Sequence, residues 1–80
     1  MIIEITRSYI RMQVGDRTVT IEGEAYIPGH GSPDFVVYEN SIRKWDPPNE
    51  KIEIDEISKK KILNLLKNEM KRKKMSLEVE

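Results

Sequence analysis

Residues 9–21 read YIRMQVGDRTVTI, with apolar and polar side chains alternating on both sides of a central Gly15-Asp16 pair. Alternation with a period of two is typical of half-buried β-strands. Gly15 stands at the first central position of a two-residue turn, where a type II′ turn needs a positive φ angle that glycine adopts without strain. The turn sets a register in which apolar residues face one another, through the pairs Val14–Arg17, Met12–Val19 and Ile10–Ile21. This stretch therefore predicts a β-hairpin.

Further strands are predicted on both sides of the hairpin. Ile2–Thr6 makes a short first strand with Ile3 and Ile5 on one face. The second hairpin strand extends over Thr18–Ile27, in which Gly23 marks a bulge or a bend. Two prolines and two glycines make residues 28–34 a loop, and Phe35–Glu39 returns as a strand.

The second half of the chain predicts one helix and a closing strand. Asp55 is the expected N-cap, and the cations at 71–74 suit the negative end of the helix dipole, so the helix should end near Lys73. Met75–Glu80 alternates again and predicts the last strand. The apolar stripe of the helix follows spacings of three and four, through Ile62, Leu63, Leu65, Leu66 and Met70.

These elements predict an α+β fold in a single small domain, residues 1–80. We expect a mostly antiparallel sheet of about five strands, in the order β-β-β-β-α-β, with one long helix packed on one face. The expected neighbour of the last strand is an early strand. No stretch approaches the roughly 20 apolar residues of a membrane span, and no signal peptide is evident, so a cytoplasmic protein is expected.

The 80 residues have zero net charge, but the charge is unevenly distributed. Residues 1–58 carry six Lys and Arg against eleven Asp and Glu, whereas residues 59–80 carry eight against three. Such asymmetry marks either a binding surface or a solvated, lysine-rich helix face.

Groups that could support catalysis do not converge in the sequence. His30 is the one histidine, and it shares a glycine-rich loop with Ser32 and Asp34, which predicts an exposed side chain rather than a triad. The chain has no cysteine, so a zinc site is not expected. No glycine pattern matches a phosphate-binding loop. The sequence therefore predicts no catalytic residue, cofactor or metal.

Acidic and aromatic side chains are the better candidates for a site that binds another protein. Glu22 and Glu24 lie on one strand face, which suits docking of a basic partner. Tyr26, Tyr38 and Trp45 are of the types that dominate binding hot spots. The simpler reading of Trp45 is that it closes one end of the core, and the two roles are compatible.

The stretch Val37-Tyr38-Glu39-Asn40-Ser41-Ile42-Arg43-Lys44-Trp45-Asp46-Pro47-Pro48 resembles the central signature of the immunity protein 74 family. These are small bacterial proteins of polymorphic toxin and contact-dependent growth inhibition systems. The likeness also includes the N-terminal strand, the early hairpin, the approach to the helix and the short final strand, and so covers most of the chain. The lysine-rich helix end is stronger than in the family pattern.

The resemblance implies an inhibitor without an active site, which binds a cognate toxin tightly and covers its functional surface. Many such toxins are nucleases with basic clefts, so a basic partner is implied. The predicted contact residues are Glu22, Glu24, Tyr26, Tyr38, Trp45 and Asp46. The alternative is a small nucleic-acid-binding module that uses the lysine-rich helix, although a pI near 6.6 is low for that role.

Overall fold

A computed structural model of the chain describes residues 1–27 and 31–80. The strands form one sheet in the order β1-β2-β3-β4-β5, antiparallel except for the parallel pair β4–β5. The predicted α+β class and the element order β-β-β-β-α-β are therefore confirmed. The sheet is mixed, because its last two strands are parallel. The elements are β1 (Ile2–Ile5), β2 (Tyr9–Val14), β3 (Arg17–Ala25), β4 (Phe35–Val37), a 3-10 helix (Glu39–Ser41), α1 (Glu56–Arg72) and β5 (Leu77–Val79).

The β2–β3 hairpin forms in the predicted register. Val14 pairs with Arg17, and both apolar pairs beyond it are those expected from the alternation. Gly15 has a φ of 65° and Asp16 a negative φ, the combination that a type II′ turn requires. The hairpin places Ile10, Met12, Val19 and Ile21 in the core.

The first strand departs from the predicted alternation. A register shift between Ile2 and Glu4 places Ile2 opposite Met12 and Ile5 opposite Ile10. These two side chains pack on the core, whereas Ile3 is 46% exposed. The prediction that Ile3 and Ile5 share one face was therefore wrong, because a bulge adds a residue between the two that face inward.

Gly23 is where β3 begins to pair with β4. Residues up to Glu22 pair with β2, and residues from Gly23 pair with β4, without a register shift at this point. Gly23 is buried, and a methyl group on it would overlap the Val36 carbonyl oxygen and the Phe35 ring. The glycine thus allows a close backbone approach rather than making a bulge. β3 ends at Ala25, before the predicted Ile27, and β4 ends at Val37, before the predicted Glu39.

The predicted loop is only partly described. Residues 28–30, including His30, lie outside the described residues, while residues 31–34 follow an irregular path into β4, as expected.

The helix α1 begins and ends as predicted. The Asp55 carboxylate accepts a hydrogen bond from the Ser58 amide at 2.7 Å, and Lys73 follows the last helical residue. Leu65 is 42% exposed, so its predicted place in the buried stripe was wrong. It lies about 100° around the helix axis from Leu66, outside the face that packs on the sheet. No helix in residues 1–27 and 31–80 combines the length and apolar character needed to span a bilayer. The buried residues of α1 are Ile62, Leu63, Leu66 and Met70.

The closing strand β5 lies at the sheet edge beside β4, not beside an early strand as predicted. Its residues pair in parallel with β4, through Phe35–Leu77 and Val37–Val79. The chain crosses over through α1 between these strands, and such a crossover returns it in the same direction. β1, β2 and β3 are already neighbours, so the free edge of β4 receives the last strand.

Candidate functional site

Two faces of the sheet differ in what covers them. Phe35, Val37 and the apolar residues of the hairpin point into the core, where α1 packs. Residues of the opposite parity point the other way. We call this second side the outer face.

On the outer face, β3, β4, β5 and the residues that adjoin their ends form a grid of nine side chains. The central position is Val36, which lies between Glu24 on β3 and Glu78 on β5. Val36 is 2% exposed although it does not belong to the core cluster, so the side chains around it cover it. Extending the register by two residues in each direction gives the rows Glu22–Tyr38–Glu80, Glu24–Val36–Glu78 and Tyr26–Asp34–Ser76.

We define the acidic face as Glu22, Glu24, Tyr26, Tyr38, Glu78 and Glu80. Backbone hydrogen bonds hold its two tyrosines in place, from the Tyr26 amide to the Asp34 oxygen at 3.1 Å and from the Tyr38 amide to the Glu22 oxygen at 2.8 Å. The Tyr38 hydroxyl donates to Glu24 at 3.3 Å. Four of the six predicted contact residues therefore lie together on one surface.

Negative charge on the acidic face acts on both tyrosines. The Glu24 carboxylate is the main cause that raises the pKa of Tyr26, with partial burial, Glu80 and Glu78 adding to it. Partial burial is the main cause that raises the pKa of Tyr38, followed by the charge of Glu24. Both phenols therefore stay protonated to higher pH than free tyrosine and remain hydrogen-bond donors.

The carboxylates of the acidic face have no cationic partner among the described residues, since no ion pair within 4.0 Å includes any of its four glutamates. The adjoining part of the outer face is different. There Arg11 lies 3.7 Å from Glu4 and 3.8 Å from Asp46, so each of these acids has a cation nearby. The glutamates of the acidic face thus differ from Glu4 and Asp46 in having no such cation within 4.0 Å among the described residues.

The segment from Tyr38 to Asp46 runs along the edge of β3 that β4 leaves uncovered. The Ser41 hydroxyl accepts a hydrogen bond from the Glu22 amide at 3.0 Å and donates to the Tyr38 oxygen at 2.7 Å. Further along, the Asp46 amide donates to the Thr18 oxygen at 2.8 Å. The Glu22 amide and the Thr18 carbonyl oxygen at this edge of β3 thereby gain hydrogen-bond partners, and the segment is held against the sheet.

Trp45 and Asp46 are anchored by different contacts. Trp45 is 7% exposed and belongs to the core cluster, with the Arg17 guanidinium 5.6 Å from its ring centroid. The Asp46 carboxylate accepts from the Thr20 hydroxyl at 2.9 Å. These contacts give Trp45 and Asp46 a structural role, and contact with a partner stays a prediction for both.

Two shallow depressions connect the acidic face with the Trp45 segment. One of about 420 Å³ is lined by residues that include Tyr38, Asn40 and Arg43. The next, of about 400 Å³, is lined by residues that include Trp45 and Pro47. Glu22 and Ser41 line both, so the surface is continuous from the acidic face to the Pro47-Pro48 pair, whose peptide bond is cis.

The lysine-rich surface lies on α1, which packs on the other side of the sheet. Lys59 is largely covered and lies 3.4 Å from Glu56, whereas the other cations of the helix and its end are exposed. Among the described residues, no three histidine, cysteine, aspartate or glutamate side chains are grouped so that they could hold a metal ion.

Glu78, Glu80 and Val36 were not among the residues predicted from sequence. The alternation of Leu77 and Val79 with the two glutamates did indicate which side chains share a face. What the sequence did not indicate is the parallel pairing with β4, and this pairing brings both glutamates beside Glu24.

Comparison with known proteins gives one family. The family model described as Immunity protein 74 matches residues 2–80. Searches of curated proteins and of solved structures gave no significant match.

Proposed function

Since the chain belongs to the immunity protein 74 family, we propose that it neutralises one cognate protein toxin by tight, stoichiometric binding through its acidic face. The observation that carries this proposal is the group of glutamates around the covered Val36, for which residues 1–27 and 31–80 supply no cation within 4.0 Å. Binding hot spots have this organisation, with a desolvated centre, aromatic side chains and a polar rim.

Unpaired carboxylates favour a partner with a basic surface. Complementary charge accelerates encounter and selects against wrong partners. A nuclease toxin has such a surface where it binds the phosphate backbone, so occupation of that cleft by the acidic face would block its substrate directly. We therefore propose a nuclease as the partner, bound in the bacterial cytoplasm, where an immunity protein of a contact-dependent growth inhibition system would meet it.

The size of the acidic face indicates that neighbouring residues complete the interface. Three strands and three rows give a projected area of about 300 Å² from the usual strand spacings, whereas a stable interface covers about 800 Å² on each partner. The depressions beside Glu22 extend the surface toward Asp46 and Pro47. We propose that the toxin also contacts this rim, where the fixed backbone of the Trp45 segment limits the entropy lost on binding.

Reversal of charge on the acidic face tests the proposal. Glu22→Lys combined with Glu24→Lys places two cations opposite a basic partner, so we expect loss of protection when the variant is co-expressed with the toxin encoded next to it. Both side chains are exposed, so the circular dichroism spectrum and the thermal midpoint should stay close to those of the unaltered protein.

The matched control reverses two exposed charges on the other side of the molecule. Lys67→Glu with Lys71→Glu should protect as well as the unaltered protein, because α1 lies away from the acidic face. Full protection by a folded Glu22→Lys, Glu24→Lys variant would exclude the acidic face. Loss of protection in the control alone would instead assign binding to the helix.

A further inference from the structure

Glu24 lies between two partly exposed tyrosine rings. Tyr26 follows Glu24 on the outer face, directly after the end of β3, and the Tyr38 hydroxyl donates to the Glu24 carboxylate. Tyr26 and Tyr38 are 40% and 39% exposed, so both residues offer surface to a partner. Val36, opposite Glu24 on β4, is 2% exposed, so it supports these side chains from below and offers no surface of its own. Glu24, Tyr26 and Tyr38 together offer a carboxylate and two π-faces within one small area.

Arginine and lysine side chains differ in how strongly they can bind to a carboxylate flanked by tyrosine rings. A guanidinium group is planar and weakly hydrated, stacks on aromatic rings, and donates several hydrogen bonds to a carboxylate in a fixed geometry. An ammonium group is a compact, strongly hydrated charge, and it gains less from the rings. Glu24 supplies the acceptor, and Glu78 lies one strand beyond Val36 as a second carboxylate of the same row.

We propose that Glu24, Tyr26 and Tyr38 form a receptor for an arginine side chain of the toxin, with the guanidinium against the tyrosine rings and hydrogen-bonded to Glu24. This inference rests on the proposed function and names the chemistry of the partner at the centre of the acidic face. Glu22, Glu78 and Glu80 surround this receptor and add general attraction for cations, which does not distinguish arginine from lysine.

Two peptides of equal charge separate the receptor from general attraction. We would titrate the full chain with tetra-arginine amide and with tetra-lysine amide, and follow the backbone and aromatic resonances by NMR. The arginine peptide should bind about fivefold more tightly, as cation–π contacts at exposed sites allow. The largest chemical-shift changes that this peptide causes in the protein should occur at Glu24, Tyr26, Val36 and Tyr38.

Variants of the two rings provide the control. Tyr26→Leu and Tyr38→Leu keep apolar bulk but remove the π-face, so each should lower arginine affinity toward that for lysine while affinity for lysine changes little. Tyr9→Leu, on the outer face opposite Glu22 but outside the acidic face, should leave the preference unchanged. Equal affinity for the two peptides, shift changes centred elsewhere, or no binding of the arginine peptide at millimolar concentration would each overturn the proposal.

The outcome can be separated from that of the proposed function. If the unaltered protein gives no protection against the neighbouring toxin, the proposed function fails whatever the peptides show. If protection is full and the charge reversal abolishes it, but the peptides bind equally, then the acidic face stands as the interface and only the arginine receptor is refuted.

Discussion

Gly23 is the residue at which the sheet leaves no room for a side chain. Its backbone lies against the Val36 carbonyl oxygen and the Phe35 ring, at the point where β3 begins to pair with β4. A methyl group would push β4 away and disturb the grid centred on Val36. We expect Gly23→Ala to lower the free energy of unfolding by about 3 kcal/mol, at the upper end for overpacking, as measured by urea denaturation.

Gly15→Ala is the matched comparison for this prediction. Nothing lies within 4 Å of a methyl group at Gly15, whose φ is 65°, so only backbone strain opposes the change. That strain costs about 1 kcal/mol. Equal losses in the two variants would show that β4 adjusts to a side chain at Gly23.

The residue type of Trp45 indicates two possible roles but does not indicate where its ring lies. The sequence indicated both a hot-spot anchor and a residue that closes the core, and the structure places the ring in the core beside Arg17. The position of the Trp45 ring depends on how residues 38–46 run along the edge of β3. Hydrogen bonds of Asp46 with Thr18 and Thr20, more than 20 residues away, fix this path. Local pattern carries no information on such distant pairs.

At the scale of elements, the hairpin and the helix were predictable because local chemistry determines them. The Gly15-Asp16 turn sets the register of β2 and β3, and Asp55 with the stripe behind it defines α1. The alternation of residues 75–80 predicts a strand but not the strand beside it. A strand with this pattern could pair with any free edge of the sheet, so the sequence does not indicate β4 as the neighbour of β5. The four predicted residues of the acidic face were found from parity on one strand and from residue type, and their meeting with Glu78 depends on the tertiary pairing.

The end of α1 has a left-handed residue that is not glycine. Lys74 has a φ of 57°, and the Met75 amide donates to the Met70 oxygen while the Lys74 amide donates to the Lys71 oxygen. This is a Schellman motif, in which glycine is preferred at the left-handed position. We expect Lys74→Gly to raise the free energy of unfolding by about 1 kcal/mol, because the steric cost of the left-handed conformation is removed.

Lys73→Gly is the control for the helix end. It removes the same charge, but Lys73 has a φ of −81°, so glycine only adds freedom to the unfolded chain there. Chemical denaturation of both variants should therefore show opposite changes in stability. A loss of stability in Lys74→Gly would mean that the lysine charge at the helix end matters more than the backbone conformation.

The start of α1 makes stability dependent on pH. Hydrogen bonding from the Ser58 backbone amide, then from its side chain, lowers the pKa of Asp55 below 3.8. A lowered pKa in the folded state contributes stability above the unfolded value, and the contribution is lost as pH falls through the folded value.

Asp55→Asn keeps a capping acceptor without a titrating group. We expect the unaltered protein to lose its advantage over Asp55→Asn below pH 3.8, measured by thermal unfolding across this range. A constant difference between the two would exclude Asp55 as the titrating cap.

At the scale of the whole molecule, zero net charge hides a separation of charge between two surfaces. The acidic face lies on one side of the sheet, and most of the exposed lysines belong to the helix that packs on the other side, or to its end. A partner with a basic surface is attracted to one side and repelled by the other. The molecule can therefore orient a partner before contact, without the general stickiness of a strongly charged protein.

This separation predicts how variants alter the rate of toxin capture. Glu78→Lys with Glu80→Lys should slow association, whereas Lys67→Glu with Lys71→Glu should accelerate it, because the first weakens the attraction and the second removes repulsion. Both effects should shrink between low salt and physiological salt, as the Debye length falls from about 30 Å to about 8 Å. Stopped-flow measurement of association with the toxin checks the signs. Faster association after the glutamate reversal would mean that the partner presents an acidic surface, and the acidic face would then have to be abandoned as the docking site.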